Sequence, residues 1–361
     1  MSLLRALLST ARPVRHTPQL ADGLVPDHAV LLDAPDERLG PALVAAALGD
    51  HEPAATLLAA TRGAAEWESR DRYVTRLAAF AHSRGEWLTR WLADAPGDPD
   101  ALLLKAEVAV RKAWESPARA ERLRELGPLI DAAAGAAPRD PVPWRLALDH
   151  ARGTRATHPA FESLWEQAVR RASHHYGCHV AALTYLSAQC CARRGDAPRV
   201  RRAPRHGCFE CFDFAEQAAA DALPGSLIRA LPLRAAFVRL VAGDPVPVQR
   251  SGQQEERIDA AVEQAIELSG RYAAGDPWPA EMRNMLAYVL VRRQRWAAAL
   301  EQFRLIGPYA TSFPWSFPWS SAEDDPLGRF LDARDRVRLE VAAAVPLRGR
   351  AGRGRSGGHY A

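Results

Sequence analysis

Apolar residues recur at the spacing of a helix face along nearly the whole chain, and this constrains the fold more than any single motif does. Phe161, Leu164, Trp165, Ala168, Val169 and Ala172 fall at offsets 0, 3, 4, 7, 8 and 11. Those positions share one side of a helix. Ile258, Val262, Ala265 and Ile266 repeat the pattern, with Glu and Arg between them. No segment alternates convincingly with period two. Ile and Thr are scarce, so residues suited to a pleated surface are thin. The 361 residues therefore predict an all-α protein.

The helices are punctuated by a repeated dipeptide, Asp98-Pro99, Asp140-Pro141, Asp244-Pro245 and Asp276-Pro277. An aspartate accepts from the free N–H groups of a new helix, and proline suits its first position. The first two lie 42 residues apart in similar surroundings, and the last two lie 32 apart. Periods of this size mark stacked helical hairpins. The clearest hairpin is predicted in Asn284–Pro308. Its first helix carries Leu286, Ala287 and Leu290, Arg293-Gln294 make the turn, and the second helix carries Trp296, Ala299, Leu300 and Phe303. Small residues let the two helices touch, and large ones fill the space beside them.

This hairpin resembles the tetratricopeptide (TPR) consensus, in which a small residue on the first helix precedes a small residue on the second by twelve positions. Here those residues are Ala287 and Ala299, followed by Phe303 at the expected four. Two departures are Arg283, where the consensus has Trp, and Ala287 itself, where it has Gly. Over roughly residues 98–335 the chain also resembles an uncharacterised bacterial TPR-like helical family. The resemblance is carried by LWEQAVRRASHHYGCHVAALTYLSAQ, FDFAEQAAADALPGS, IGPYATSFPWSF and DDPLGRFLDARD. It implies a stack of antiparallel helical hairpins, an α-solenoid, with no assigned catalytic residues. The stretch CCARRGDAPRVRRAPRHGCFEC departs from the family pattern of a Trp- and Gly-containing turn. The expected divisions are an irregular arm over 1–35, a helical segment over 36–96, the array over 97–344, and an Arg/Gly-rich disordered tail over 345–361.

Composition narrows the class further. Hydrophobic content of 48% excludes wholesale disorder, and no apolar run approaches a membrane span. The five cysteines lie between Cys178 and Cys211, too few and too clustered for a disulfide scaffold, so a reducing cytoplasm is expected. The start of the chain has an interrupted apolar run, shorter than a signal-peptide core. The net charge of +4 is concentrated in the run Arg193–His206, which is +5, and in the tail. The remainder is mildly acidic, unlike a nucleic-acid-binding body.

Four features could carry chemistry. Cys208 and Cys211 form a CxxC, with Cys190, Cys191, His206, His174, His175 and His179 nearby, but no second pair stands at structural-zinc spacing. On a helix, Cys208 and Cys211 would instead share a core face with Phe212 and Ala215. His175 and His179 are four apart, with no glutamate between them in the HExxH manner, and Gly177 is expected to break the helix there. Arg193, Arg194, Arg199, Arg201, Arg202 and Arg205 form a basic loop that would contact phosphate or an acidic partner, or simply be solvated. Phe313, Trp315, Phe317 and Trp319 belong to a tandem FPWS repeat that would line a groove or fold back as a buried cap. Arg329 and Arg334 are expected to pair with the acids at 323–325. There is no phosphate-binding, dinucleotide, nucleophile-elbow or HExxH motif.

The expectation is a non-catalytic interaction scaffold that needs no cofactor or metal. Its partner would be a protein or peptide segment, not nucleic acid or membrane, with Trp296, Phe313, Trp315, Phe317, Trp319 and Arg329 as binding residues. A metal-binding or enzymatic role for 174–211 is the alternative, with a nucleic-acid-contacting regulator acting through 193–206 behind it.

Overall fold

The computed structural model describes residues 23–195, 207–242, 248–317 and 325–344; within these, the side chains of 189–195, 207–209, 242 and 248–251 are left out. The chain is predominantly helical. It divides into two compact units. One is Ala34–Arg271, and the other joins the described residues up to Asp33 to those from Tyr272 onward.

The larger unit opens with α1 (Leu39–Ala47), α2 (Glu52–Gly63), α3 (Trp67–Ser83) and α4 (Glu86–Asp94). Asp36 starts α1 by accepting from Leu39 N–H at 2.8 Å. Gly49 stops it with a φ of 84°, a left-handed conformation that costs a residue without a Cβ little. Next come α5 (Pro99–Glu115), α6 (Arg119–Arg124), α7 (Gly127–Ala136), α8 (Val142–Thr154) and α9 (His158–Arg171). The Asp-Pro reading holds at Asp98, which accepts from Asp100 and Ala101 N–H at 2.8 and 2.9 Å. Asp140 accepts from Val142 N–H at 2.9 Å in front of α8. The unit ends with α10 (Tyr176–Gly195), α11 (Gly207–Asp221), α12 (Leu231–Ala242) and α13 (Val248–Ser269).

Apart from α6 and α7, neighbours in sequence pack together, as do several helices one step further on: α3 with α5, α5 with α7, α8 with α10, and α10 with α12. Leu58, Leu77, Trp87, Trp91, Leu104 and Leu146 form one core. Phe161 and Ala168 bury the predicted face of α9, with Phe161 stacked on Tyr185 at 4.0 Å between centroids. Cys211, Phe212, Ala215, Ile258 and Ala261 form a third cluster. The boundary expected at 96–97 falls inside this unit, where α4 packs on α5. Among the described residues, no helix is long and apolar enough to cross a membrane.

The smaller unit is built on α14 (Ala280–Arg292) and α15 (Trp296–Ile306), the hairpin predicted from sequence. Leu286, Ala287, Leu290, Ala299, Leu300 and Phe303 are all buried. Gln294 takes the left-handed turn, φ 57°. Asp276 accepts from Trp278 N–H at 2.8 Å ahead of α14, whereas Asp244-Pro245 lies outside the described residues. Arg283, at the position of the consensus Trp, is fully buried and donates to the carbonyls of Tyr272, Ala273 and Leu305 at 2.8 to 2.9 Å. It thus fills the space of a large ring and satisfies carbonyls left over near a helix end.

Residues 23–33, the described part of the expected arm, belong to this unit. A 3-10 turn at Asp27–Ala29 leads into β1 (Leu31–Leu32), which pairs in parallel with β2 (Tyr309–Ala310). Asp33 then holds Ser312 through its backbone N–H and its hydroxyl. A short α16 (Ser312–Trp315) and α17 (Pro326–Ala344) complete the described unit.

Candidate functional site

The six residues expected to bind a partner are dispersed by burial. Trp315 sits in the core of the smaller unit at 3% exposure. Its ring lies 5.5 Å from Tyr288, 6.1 Å from Phe303 and 5.5 Å from Phe330, between centroids. Its indole N–H donates to Asn284 Oδ1 at 2.8 Å. Asn284 in turn donates to the carbonyls of Ala280 and Tyr309 at 2.8 and 3.0 Å. Arg329 donates to Trp315 O at 2.9 Å, closing this segment over α14 and α15. Trp315 is therefore part of a cap and not an exposed anchor. Phe313 and Phe317 are half-buried, as is Trp296, whose ring lies 5.2 Å from the Arg336 guanidinium carbon. Trp319 lies outside the described residues. Arg334, expected to pair with the acids at 323–325, pairs instead with Asp27 and donates to Val25 O at 2.9 Å.

The His/Cys region is packed into the larger unit. Helix α10 begins at Tyr176, so His175 stands at its N-terminus and Gly177 inside its first turn. Gly177 is needed for space and does not break the helix: a Cβ there would come within 2.0 Å of Asp71 Oδ2. Glu68, on α3, accepts from Tyr176 N–H at 2.6 Å. His175 Nδ1 accepts from Cys178 N–H at 3.2 Å, which assigns the ring proton to Nε2, 3.3 Å from Trp67 O. Asp71 Oδ2 is 3.9 Å from the same nitrogen, and Cys178 Sγ is 3.1 Å from Nδ1.

Thiol, imidazole and carboxylate thus stand in the order of a nucleophilic triad, but their environment opposes that chemistry. Burial pushes the Cys178 thiol well above its ordinary pKa, and Asp71 adds to the shift. The thiol and the imidazole are both closed to solvent. His174 is exposed, and Cys211 is buried 3.6 Å from Ser187 Oγ. Among the described residues, no group of three or more His, Cys, Asp or Glu is placed to hold a metal ion. The side chains of Cys190, Cys191, His206 and Cys208 lie outside the description. Arg193 and Arg194 fall in the last turn of α10 and not in a loop, their side chains outside it too, and Arg199, Arg201, Arg202 and Arg205 lie outside the described residues altogether.

Sequence reasoning missed the ion pairs that surround this region. Arg145, on α8, reaches Asp71 at 2.9 Å, Glu107 at 2.8 Å and Asp149 at 3.4 Å. Burial pulls its pKa down, but the three carboxylates more than offset this and hold it well above its ordinary value. Arg70 is completely buried and meets Asp140 at 2.6 Å and Leu58 O at 2.9 Å. Its Nη2 lies 2.7 Å from Asp100 Oδ1, an ion-pair contact outside hydrogen-bonding geometry. The one available signal was Arg70-Asp71 on the inward side of a strongly periodic helix.

The imidazole of His179 donates to His175 O at 2.9 Å and meets Trp165 edge-on at 5.0 Å. Burial lowers its pKa from the ordinary 6.5, so the folded state resists its protonation. Its contribution to stability is whole above pH 6.5 and is lost as pH falls through the lower folded value. Glu68 works in the opposite sense. Burial raises its pKa above 4.5, so its contribution is whole below that pH and is lost as pH rises through the folded value. His179→Gln should therefore flatten the loss of stability on acidification below pH 6.5. Urea midpoints measured across that range check this, and an unchanged slope would assign the acid sensitivity to other groups.

Compared with protein-family models, curated proteins and solved structures, the chain matches none.

Proposed function

We propose that the protein is a non-catalytic scaffold that binds a peptide or protein segment along a TPR-like stack of antiparallel helical hairpins. The observation that carries this reading is the packing order of the larger unit, where helices meet their sequence neighbours and helices one step further on. Stacking of this kind builds an extended surface that recognises by shape. The burial of Cys178, His175 and Asp71 favours recognition over reaction. In the smaller unit the reading assigns partner contact to the half-exposed Trp296, Phe313 and Phe317, with Trp315 holding the cap beneath. The free thiols of Cys178 and Cys211 suit a reducing cytoplasm.

The test is gentle purification of tagged protein from its native cells, identification of what accompanies it, and rebinding of that partner from purified components. A near-stoichiometric protein partner whose binding survives Cys178→Ala and chelator supports the scaffold. Protein that comes alone with one equivalent of metal sinks it in favour of the region 174–211. Co-purified nucleic acid, released steeply by salt and lost when the six arginines of 193–205 become Gln, moves the function to that basic run.

A further inference from the structure

Helix α1 carries no charged or polar side chain between Leu39 and Leu48. Leu39, Ala42 and Ala46 bury one face of it. On the opposite face Val44 is 63% and Leu48 83% exposed, with Pro41 and Ala47 exposed beside them. A helix that is apolar all round is ordinarily buried all round. α1 packs on α2 and α3 at the start of the larger unit, and the ends of helical stacks need a polar outer face. This end lacks one.

We infer that the exposed face of α1 is a homodimer contact, covered by α1 of a second copy in an antiparallel, two-fold arrangement. The argument is register. About an axis at Val44, each residue before it meets the residue equally far behind it in the other copy. Gly40 then faces Leu48 and Pro41 faces Ala47, so the large exposed leucine of each copy lies over a position without a side chain. Six residues out, beyond the two ends of the helix, Arg38 stands level with Asp50 of the other copy, and both are exposed. Arg38 donates through Nη1 to Glu66 at 2.6 Å, and its fork has other N–H groups for a second carboxylate. Asp50 accepts from Glu52 N–H through Oδ1 and retains Oδ2. A parallel arrangement would set Arg38 against Arg38 and Asp50 against Asp50. The antiparallel one also opposes the two helix dipoles. Nine residues of helix span roughly 14 Å, a contact smaller than a standard interface, so the dimer is reversible and concentration-dependent. It does not depend on the segment-binding reading.

Sedimentation equilibrium of the full chain over a wide concentration range tests this. The apparent mass should rise from 39.5 kDa towards twice that value. Val44→Arg, which sets two arginines against each other on the axis, should hold the chain at monomer mass with an unchanged helical circular-dichroism signal. Arg38→Asp and Asp50→Arg should each weaken the dimer by roughly tenfold, and the double reversal should recover most of that loss. A chain that stays monomeric throughout overturns the proposal. So does a dimer indifferent to Val44→Arg, or a double reversal no tighter than either single change.

Discussion

Arg70→Met should destabilise the larger unit by about 3–5 kcal/mol, because it leaves the buried Asp140 carboxylate without its cation and Asp100 with Arg62 alone. Asp100 and Asp140 are each 1% exposed, and burial already raises the Asp140 pKa against the pull of Arg70. Arg70 also satisfies the Leu58 carbonyl, so α2, α3 and the starts of α5 and α8 lose a shared tie. Urea unfolding followed by amide exchange in α3, α5 and α8 measures the loss locally, which matters because a chain of two compact units need not unfold in one step. Adding Asp140→Asn should return a substantial part of the loss, since the cost lies chiefly in the unpaired charge of Asp140. A loss below about 1 kcal/mol would mean that water reaches the site and that Arg70 does not hold the helices together.

Trp315→Ala should cost the smaller unit about 3–5 kcal/mol, the range for emptying a large aromatic site in a packed core. The cavity would open among Tyr288, Phe303 and Phe330 and leave Asn284 Oδ1 with only the longer 3.4 Å bond from Thr311 N–H. Asn284→Leu should cost less, about 1–3 kcal/mol, through the unpaired indole N–H and the Tyr309 carbonyl. The two losses should not add, because each change removes the same hydrogen bond. Amide exchange in α14 and α15 gives both numbers. A Trp315→Ala protein of unchanged stability would show that the ring is not part of the cap.

What could be read from sequence was local. The face of α9, the Asp98 cap and the hairpin of Ala287, Ala299 and Phe303 each depend on residues within about one hairpin of one another. The partners that decide the candidate sites are distant. Asp140 was legible as a cap, but Arg70, which makes it half of a buried ion pair, lies 70 positions away. Arg145 and Asp71 are 74 apart. Gly177 looks like a helix breaker until the Asp71 carboxylate is placed against it. The sequence favoured a cap over a groove for Trp315 without naming its partner, and Asn284, 31 residues earlier, supplies it.

The bond between Asp33 and Ser312 joins positions 279 apart in the chain. Translation at roughly 5–20 residues per second separates their appearance by on the order of 14 to 56 s. All of the larger unit is synthesised inside that interval. During it, Leu31 and Leu32 are a strand without a partner, an apolar edge of the kind that invites mispairing. The smaller unit is thus the last part of the protein able to form, and a chain that stops before Tyr309 cannot close it.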